Sequence, residues 1–174
     1  MLSATRWLLV PALLAGCLGV AGPARGQKKE PRATLVRVKD GAALFSKDAV
    51  EKADKRIEEI HRAYNKAVAI ETFAAPPEGR KAPAEKSQYG EFFDKWARER
   101  YKDLGVRGVY VMICKEPRYV YTLVGRKTRA KAFTGEDRDK LVKELRMQLK
   151  ARKFDAALSG GLDVIESALK VNLK

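Results

Sequence analysis

Val109-Tyr110-Val111-Met112-Ile113-Cys114 is an apolar run without polar alternation, and it limits the folds open to this chain more than any other segment. A strand with one wet face alternates apolar and polar residues. A strand that is apolar throughout is covered on both faces, as in the parallel sheets of α/β proteins. Gly105 before it and Lys115-Glu116-Pro117-Arg118 after it bound the run at strand length, and Tyr119 to Val124 is a second β-rich segment. The two strands and the turn between them predict an antiparallel hairpin.

The elements upstream supply a parallel partner. Thr34 to Val38 is a short apolar/polar alternation that stops at the Asp40-Gly41 turn signal. Ser46 is a good helix N-cap. Val50, Ala53, Ile57, Ile60 and Tyr64 form a helical stripe, and Asn65 tolerates the left-handed stop. Ala67 to Phe73 reads as a strand. Residues 74 to 86, with Pro76, Pro77, Gly79 and Pro83, read as a surface loop long enough to be mobile or functional. Ser87 is the expected cap of a second helix with an aromatic face of Tyr89, Phe92, Phe93 and Trp96, closed by Gly105. That aromatic cluster is read as packing of helix on sheet in preference to a ligand box. Thr134 and Asp137 have the spacing of a capping box. A helix with Leu141, Leu145 and Leu149 on one face follows, and Asp155 opens a last helix with Leu158, Leu162, Ile165 and Leu169 inward. A strand–helix–strand unit crosses over right-handed. The expected fold is therefore α/β: a single three-layer α/β/α sandwich with a small mixed sheet, a parallel βαβ unit plus an antiparallel hairpin, and helices on both faces.

The first 26 residues read as an export signal, with Arg6 ahead of an apolar stretch from Trp7 to Ala15 that Pro11 interrupts. It is too short and broken to favour a membrane span. Two cleavages compete. Leu14-Ala15-Gly16-Cys17 resembles a bacterial lipobox, which would make Cys17 a lipidation site, while Ala24-Arg25-Gly26 before Gln27 fits ordinary signal peptidase. Residues 27–33 are expected to be a linker and 34–172 the folded domain. Either cut leaves Cys114 as the one thiol of the folded part, so no disulfide staples it. The formal net charge of +14 speaks to anionic partners and not to fold.

Val38-Lys39-Asp40-Gly41-Ala42-Ala43-Leu44-Phe45-Ser46, Ala67 to Thr72, Phe92-Phe93-Asp94-Lys95-Trp96, Gly108 to Ile113 and Lys153 to Leu158 resemble, in order and spacing, the motifs of the TPM domain family. That family takes its name from a thylakoid-lumen phosphatase-like protein, a photosystem II repair protein and a receptor modulator. The resemblance runs from about Val36 to Leu169. It implies an α/β/α sandwich, export, and a role in envelope or photosystem maintenance. It also implies an acidic cleft for acid phosphatase activity and divalent-cation binding. Asp40 matches the family pattern, and Asp137 corresponds approximately to a second family aspartate. These two are the candidate catalytic residues. The chain departs from the pattern at Arg107, at Glu116-Pro117-Arg118, and at Gly125-Arg126-Lys127-Thr128-Arg129, where many members carry acidic residues.

Four carboxylates, Asp40, Glu71, Glu116 and Asp137, fall at strand ends and turns and are the candidate metal ligands, against a reading as caps and turn residues. One histidine, His61, and one remaining cysteine cannot make a zinc set. Cys114 lacks an evident base, because His61 is expected at solvent or the domain edge, and reads as packing. Arg126, Lys127, Arg129 and Lys131 are the candidate anion- or partner-binding residues, against a reading as a solvated rim that blunts an edge strand. The expectation is an exported TPM-type domain, non-catalytic or weakly catalytic. It would bind a protein or an anionic cell-envelope surface through a basic rim, in a periplasmic or otherwise extracytoplasmic location. The alternative is a divalent-metal-assisted, phosphatase-like hydrolase, with a cation such as calcium as its cofactor; the leading reading needs none. Nucleic acid is disfavoured, since no recognition-helix or RNA-binding motif is present. Membrane contact would come through lipidation or the rim.

Overall fold

The computed structural model describes residues 33–174; the predicted export signal, the predicted lipobox at Cys17 and all but the last residue of the predicted linker lie outside them. Four strands form one sheet in the order β1 (Val38–Asp40), β2 (Ala67–Phe73), β3 (Gly108–Cys114), β4 (Tyr119–Val124). The β1–β2 and β2–β3 pairs are parallel and β3–β4 is antiparallel. Every residue of β3 is buried. The apolar run is an interior strand with a neighbour on each side and a helical layer on each face.

The helices are α1 (Lys47–Tyr64), α2 (Tyr89–Asp103), α3 (Arg126–Lys131), α4 (Gly135–Lys150) and α5 (Phe154–Asn172). Strand alternation divides the core in two. On one face Val68, Ile70, Val109, Val111, Ile113 and Val120 meet α1, α4 and α5. On the other, Ala67, Ala69, Tyr110, Met112 and Cys114 meet Phe93, Trp96 and Ala97 of α2. The molecule is the expected three-layer α/β/α sandwich with a mixed sheet. The aromatic face of α2 is packing: Phe93 and Trp96 are buried, and Phe93 stacks on Tyr119 with centroids 4.4 Å apart.

The helix ends follow local chemistry. The Ser46 hydroxyl accepts from the Ala49 N–H at 3.2 Å, and Asn65 stops α1 in the left-handed region at φ 50°. Thr134 and Asp137 form a reciprocal capping box on α4. Gly105, at φ 60°, turns the chain from α2 into β3. Gly108 is required by close approach, because a Cβ there would lie 1.8 Å from the Ala67 carbonyl oxygen.

Three expectations change, and one element is added. The first strand runs over Val38–Asp40 and not over Thr34 to Val38. The Val38 N–H donates to Asp54 Oδ1 and the Ala33 N–H to Asn65 Oδ1, so side chains of α1 and its cap take the place of a ladder. Ser87 does not cap α2; it lies within a 3-10 turn, Lys86–Gln88, and the N-cap is Gln88. The basic run after the hairpin is a short helix, anchored by buried Thr128. His61 is buried in the last turn of α1, away from solvent, and its Nδ1 has no partner among the described residues.

Candidate functional site

The three parallel strands end together, and their carboxyl ends are where open α/β sheets gather functional groups. Asp40 ends β1. Its Oδ2 accepts the Phe45 N–H at 2.8 Å, and its Oδ1 accepts the Leu44 N–H at 3.1 Å and the Thr72 hydroxyl. The same Thr72 oxygen accepts the Ala42 N–H at 2.9 Å. The carboxylate is thereby spent on shaping the loop from β1 into α1. Glu71, one residue before Thr72, points to the opposite face. There Arg100 of α2 grips both its oxygens at 2.6 and 3.0 Å, and Tyr110 donates its hydroxyl at 2.8 Å. Burial, followed by the charge of Glu71, pushes the Tyr110 phenol far above its ordinary value, so it stays a donor. Glu71 is a closed structural node between strands and helix.

The other two carboxylates stand elsewhere. Glu116 is exposed on the β3–β4 turn. Asp137 belongs to the capping box at the start of α4 and also accepts from Asn172 Nδ2 at 3.0 Å. Burial alone would raise its pKa; the donors from the Thr134 backbone and side chain and from Asn172 outweigh that and lower it. Thirteen residues of α4 separate it from Lys150, roughly 20 Å of helix. Among the described residues no three His, Cys, Asp or Glu side chains converge on a common point. The four carboxylates predicted as metal ligands do not fit a divalent cation: Asp40 and Glu71 face opposite sides of the sheet, and Asp137 caps a distant helix end.

Cys114 is buried at the end of β3, where its Sγ lies 3.4 Å from the Glu116 carbonyl oxygen. Burial pushes its thiol up, and the contact with that carbonyl offsets it only in part. His61 lies at the opposite end of the sheet, near the start of β2. The pair required for a thiolate nucleophile does not form.

What the strand ends do form is a groove of about 530 Å³. Its floor is apolar: Leu44 from the β1–α1 loop, Ile113 of β3, Val120 of β4, Leu149 of α4 and Phe154 of α5. Its lip is basic: Lys115 and Arg118 from the hairpin turn, Arg146 and Lys150 from the last turns of α4, and Arg152 from the α4–α5 connection. All five cations are exposed, and among the described residues none is ion-paired to a carboxylate and no carboxylate lines the groove. Elsewhere buried or half-buried guanidinium groups are matched. Arg56 meets Asp163 and Glu166 at 2.8 and 2.7 Å, and Arg100 meets Glu71. Arg146 also lies 5.9 Å from the centre of the Tyr119 ring.

The predicted anion-binding residues Arg126, Lys127, Arg129 and Lys131 are exposed on α3. That helix follows Val124, which pairs with Val109 at the opening end of β3. Strand geometry puts it roughly 17 Å from the Cys114 end. Chain tracing joins the two basic groups through the hairpin, but the fold sends them to opposite ends of the sheet. Arg146, Lys150 and Arg152 carried no signal in the sequence beyond charge on a helix surface. Their spacing from Lys115 and Arg118 becomes meaningful only once α4 is laid along β4.

The TPM domain matches residues 38–168, from the first strand into the last helix. Solved structures share the fold. The N-terminal domain of a protein from P. gingivalis is 17% identical, with a TM-score of 0.62 over 78% of this chain and 83% of that one. The N-terminal domain of the cg2496 protein from Corynebacterium glutamicum is 12% identical, with a TM-score of 0.57 over 81% and 84%. The BA42 protein from the psychrophilic bacterium Bizionia argentinensis is 12% identical, with a TM-score of 0.57 over 74% and 83%. No curated protein matches the chain. With a three-layer sandwich of the same build and a family match over most of its length, this chain belongs to the TPM domain family.

Proposed function

We propose that this TPM domain is an exported binding module that acts by holding an anionic ligand, and that the ligand seats in the groove at the carboxyl ends of the parallel strands. One observation carries the reading: five cations with no ion-pair partner among the described residues surround an apolar floor, with no carboxylate among the lining residues. Clustered like charges raise one another's attraction for an anion and set its on-rate. The cations of α3 are the competing contact. None of them lines the groove, and each exposed pair on α3 would contribute only about 0–1 kcal/mol.

The phosphatase-like alternative needs free acidic groups. Its candidate residues are engaged in structure, Asp40 in the β1–α1 loop and Asp137 in the capping box of α4.

Phenyl phosphate tests both readings at once. Calorimetry on the purified chain should show binding without release of phosphate. Neutralising Arg118 and Arg146 together with glutamine should weaken binding roughly tenfold. The triple variant Arg126→Gln, Arg129→Gln, Lys131→Gln should bind as the parent does. Loss of binding in the α3 variant and not in the groove variant would move the contact to α3. Steady hydrolysis abolished by Asp40→Ala would establish the enzyme.

A further inference from the structure

The lip accounts for charge but not for the floor. Leu44, Ile113, Val120, Leu149 and Phe154 come from five separate elements and leave a recess that a small inorganic anion would not fill. A recess of about 530 Å³ falls within the range that holds one small molecule. Its polar equipment is almost entirely cationic. Besides the five basic heads, the lining offers only Tyr119 and Cys114, whose thiol contacts the Glu116 carbonyl. No amide, carboxylate or aliphatic hydroxyl side chain is present to read a sugar or a nucleobase edge. A site that recognises hydroxyl-rich ligands arranges such groups around them. This one pairs a positive lip with an oily base.

Resting on the anion-binding reading, we infer that the groove takes a single-chain anionic amphiphile as a monomer. Its anionic head meets Arg118, Arg146 and their neighbours, and its alkyl chain lies over Leu149, Phe154 and Val120. The occupant is one molecule withdrawn into the recess, not a bilayer surface against which the domain rests. Charge complementarity at the lip and apolar complementarity at the floor are both needed. A neutral amphiphile therefore binds weakly, and so does an anion without a tail.

The test is a chain-length series on the full purified chain: inorganic phosphate, then butyl, hexyl and octyl phosphate, each titrated below its micelle concentration, with octyl glucoside as the uncharged counterpart. Burying a methylene corresponds to about a fourfold gain in affinity. Each two-carbon step should therefore tighten binding roughly fifteenfold until the floor is covered. Octyl glucoside should bind at least tenfold more weakly than octyl phosphate. The double variant Arg118→Gln, Arg146→Gln should weaken every member while keeping the increment per carbon. Leu149→Asn should flatten the increment; if that variant fails to fold, the series on the parent protein decides alone. Equal affinity for inorganic and octyl phosphate would overturn the tail assignment and leave the anion site standing. No binding by any of them would remove both. Binding to anionic vesicles without any binding of monomeric octyl phosphate would overturn the inference in favour of surface docking.

Discussion

Arg152 is held at φ 58° where α4 turns into α5. Its N–H reaches the Leu149 carbonyl at 3.1 Å, and the Lys153 N–H reaches Gln148 at 2.9 Å, the paired bonds of a Schellman ending whose left-handed position is ordinarily glycine. A side chain there costs roughly 1–2 kcal/mol. The same arginine lines the groove. Arg152→Gly should therefore raise stability by about 1 kcal/mol in urea unfolding while loosening phenyl phosphate binding. A gain in stability without loss of binding would remove Arg152 from the site. Arg100 is the opposite case. Its guanidinium neutralises Glu71, which is 2% exposed, and removal of one member of such a pair strands the other. Arg100→Ala should cost about 3 kcal/mol, since the arginine itself is partly in solvent, and Tyr110→Phe about 1.5 kcal/mol. Urea midpoints followed by circular dichroism decide both; a negligible cost for Arg100→Ala would mean that Glu71 finds another partner.

At the scale of the element, α4 depends on its first turn. Asp137 closes the capping box and takes the Asn172 amide from the end of α5, so one carboxylate joins two helix ends. Its pKa is held below the ordinary aspartate value. A carboxyl depressed in the folded state adds stability that is full above about pH 4 and is lost as the pH falls through its folded value. Asp137→Ala should cost about 1 kcal/mol at neutral pH, and the gap between variant and parent should close as urea midpoints are followed into acid. A gap that persisted at low pH would mean that the carboxylate is not the source of the cost. This box was legible in the sequence, as were Ser46, Asn65 and the two-faced burial of β3, because each is specified by neighbours within a few residues. The packing of Cys114 and of the α2 aromatics was legible too. What was not legible depends on distant partners. At the entry to β1, Asp54 takes the amide of its first residue, Val38, and Asn65 takes that of Ala33 ahead of it. His61 turns inward where a mostly charged helix pointed outward. The groove draws on Leu44, the hairpin and the α4–α5 turn, three regions that no sequence period connects.

At the scale of the molecule, the sheet separates two chemistries. Its carboxyl end carries the oily recess with a basic lip, and its other end carries α3 with a second group of cations, none of which lines that recess. Three of the carboxylates expected to serve catalysis or metal binding are absorbed into the frame: Asp40 in a loop, Glu71 in the core, Asp137 in a cap. The Tyr119 ring of β4 nonetheless reaches both helical layers. Tyr119 lines the groove on one side, lies against Arg146, and stacks on Phe93, whose ring is 5.8 Å from that of Trp96. A ligand drawing Arg146 away disturbs a continuous series of chromophores. Octyl phosphate should therefore change the near-ultraviolet dichroism of the aromatic bands, and Trp96→Leu, at a ring outside the groove lining, should reduce that change. The stack that holds α2 to the sheet is also a built-in optical gauge of whether the groove is filled.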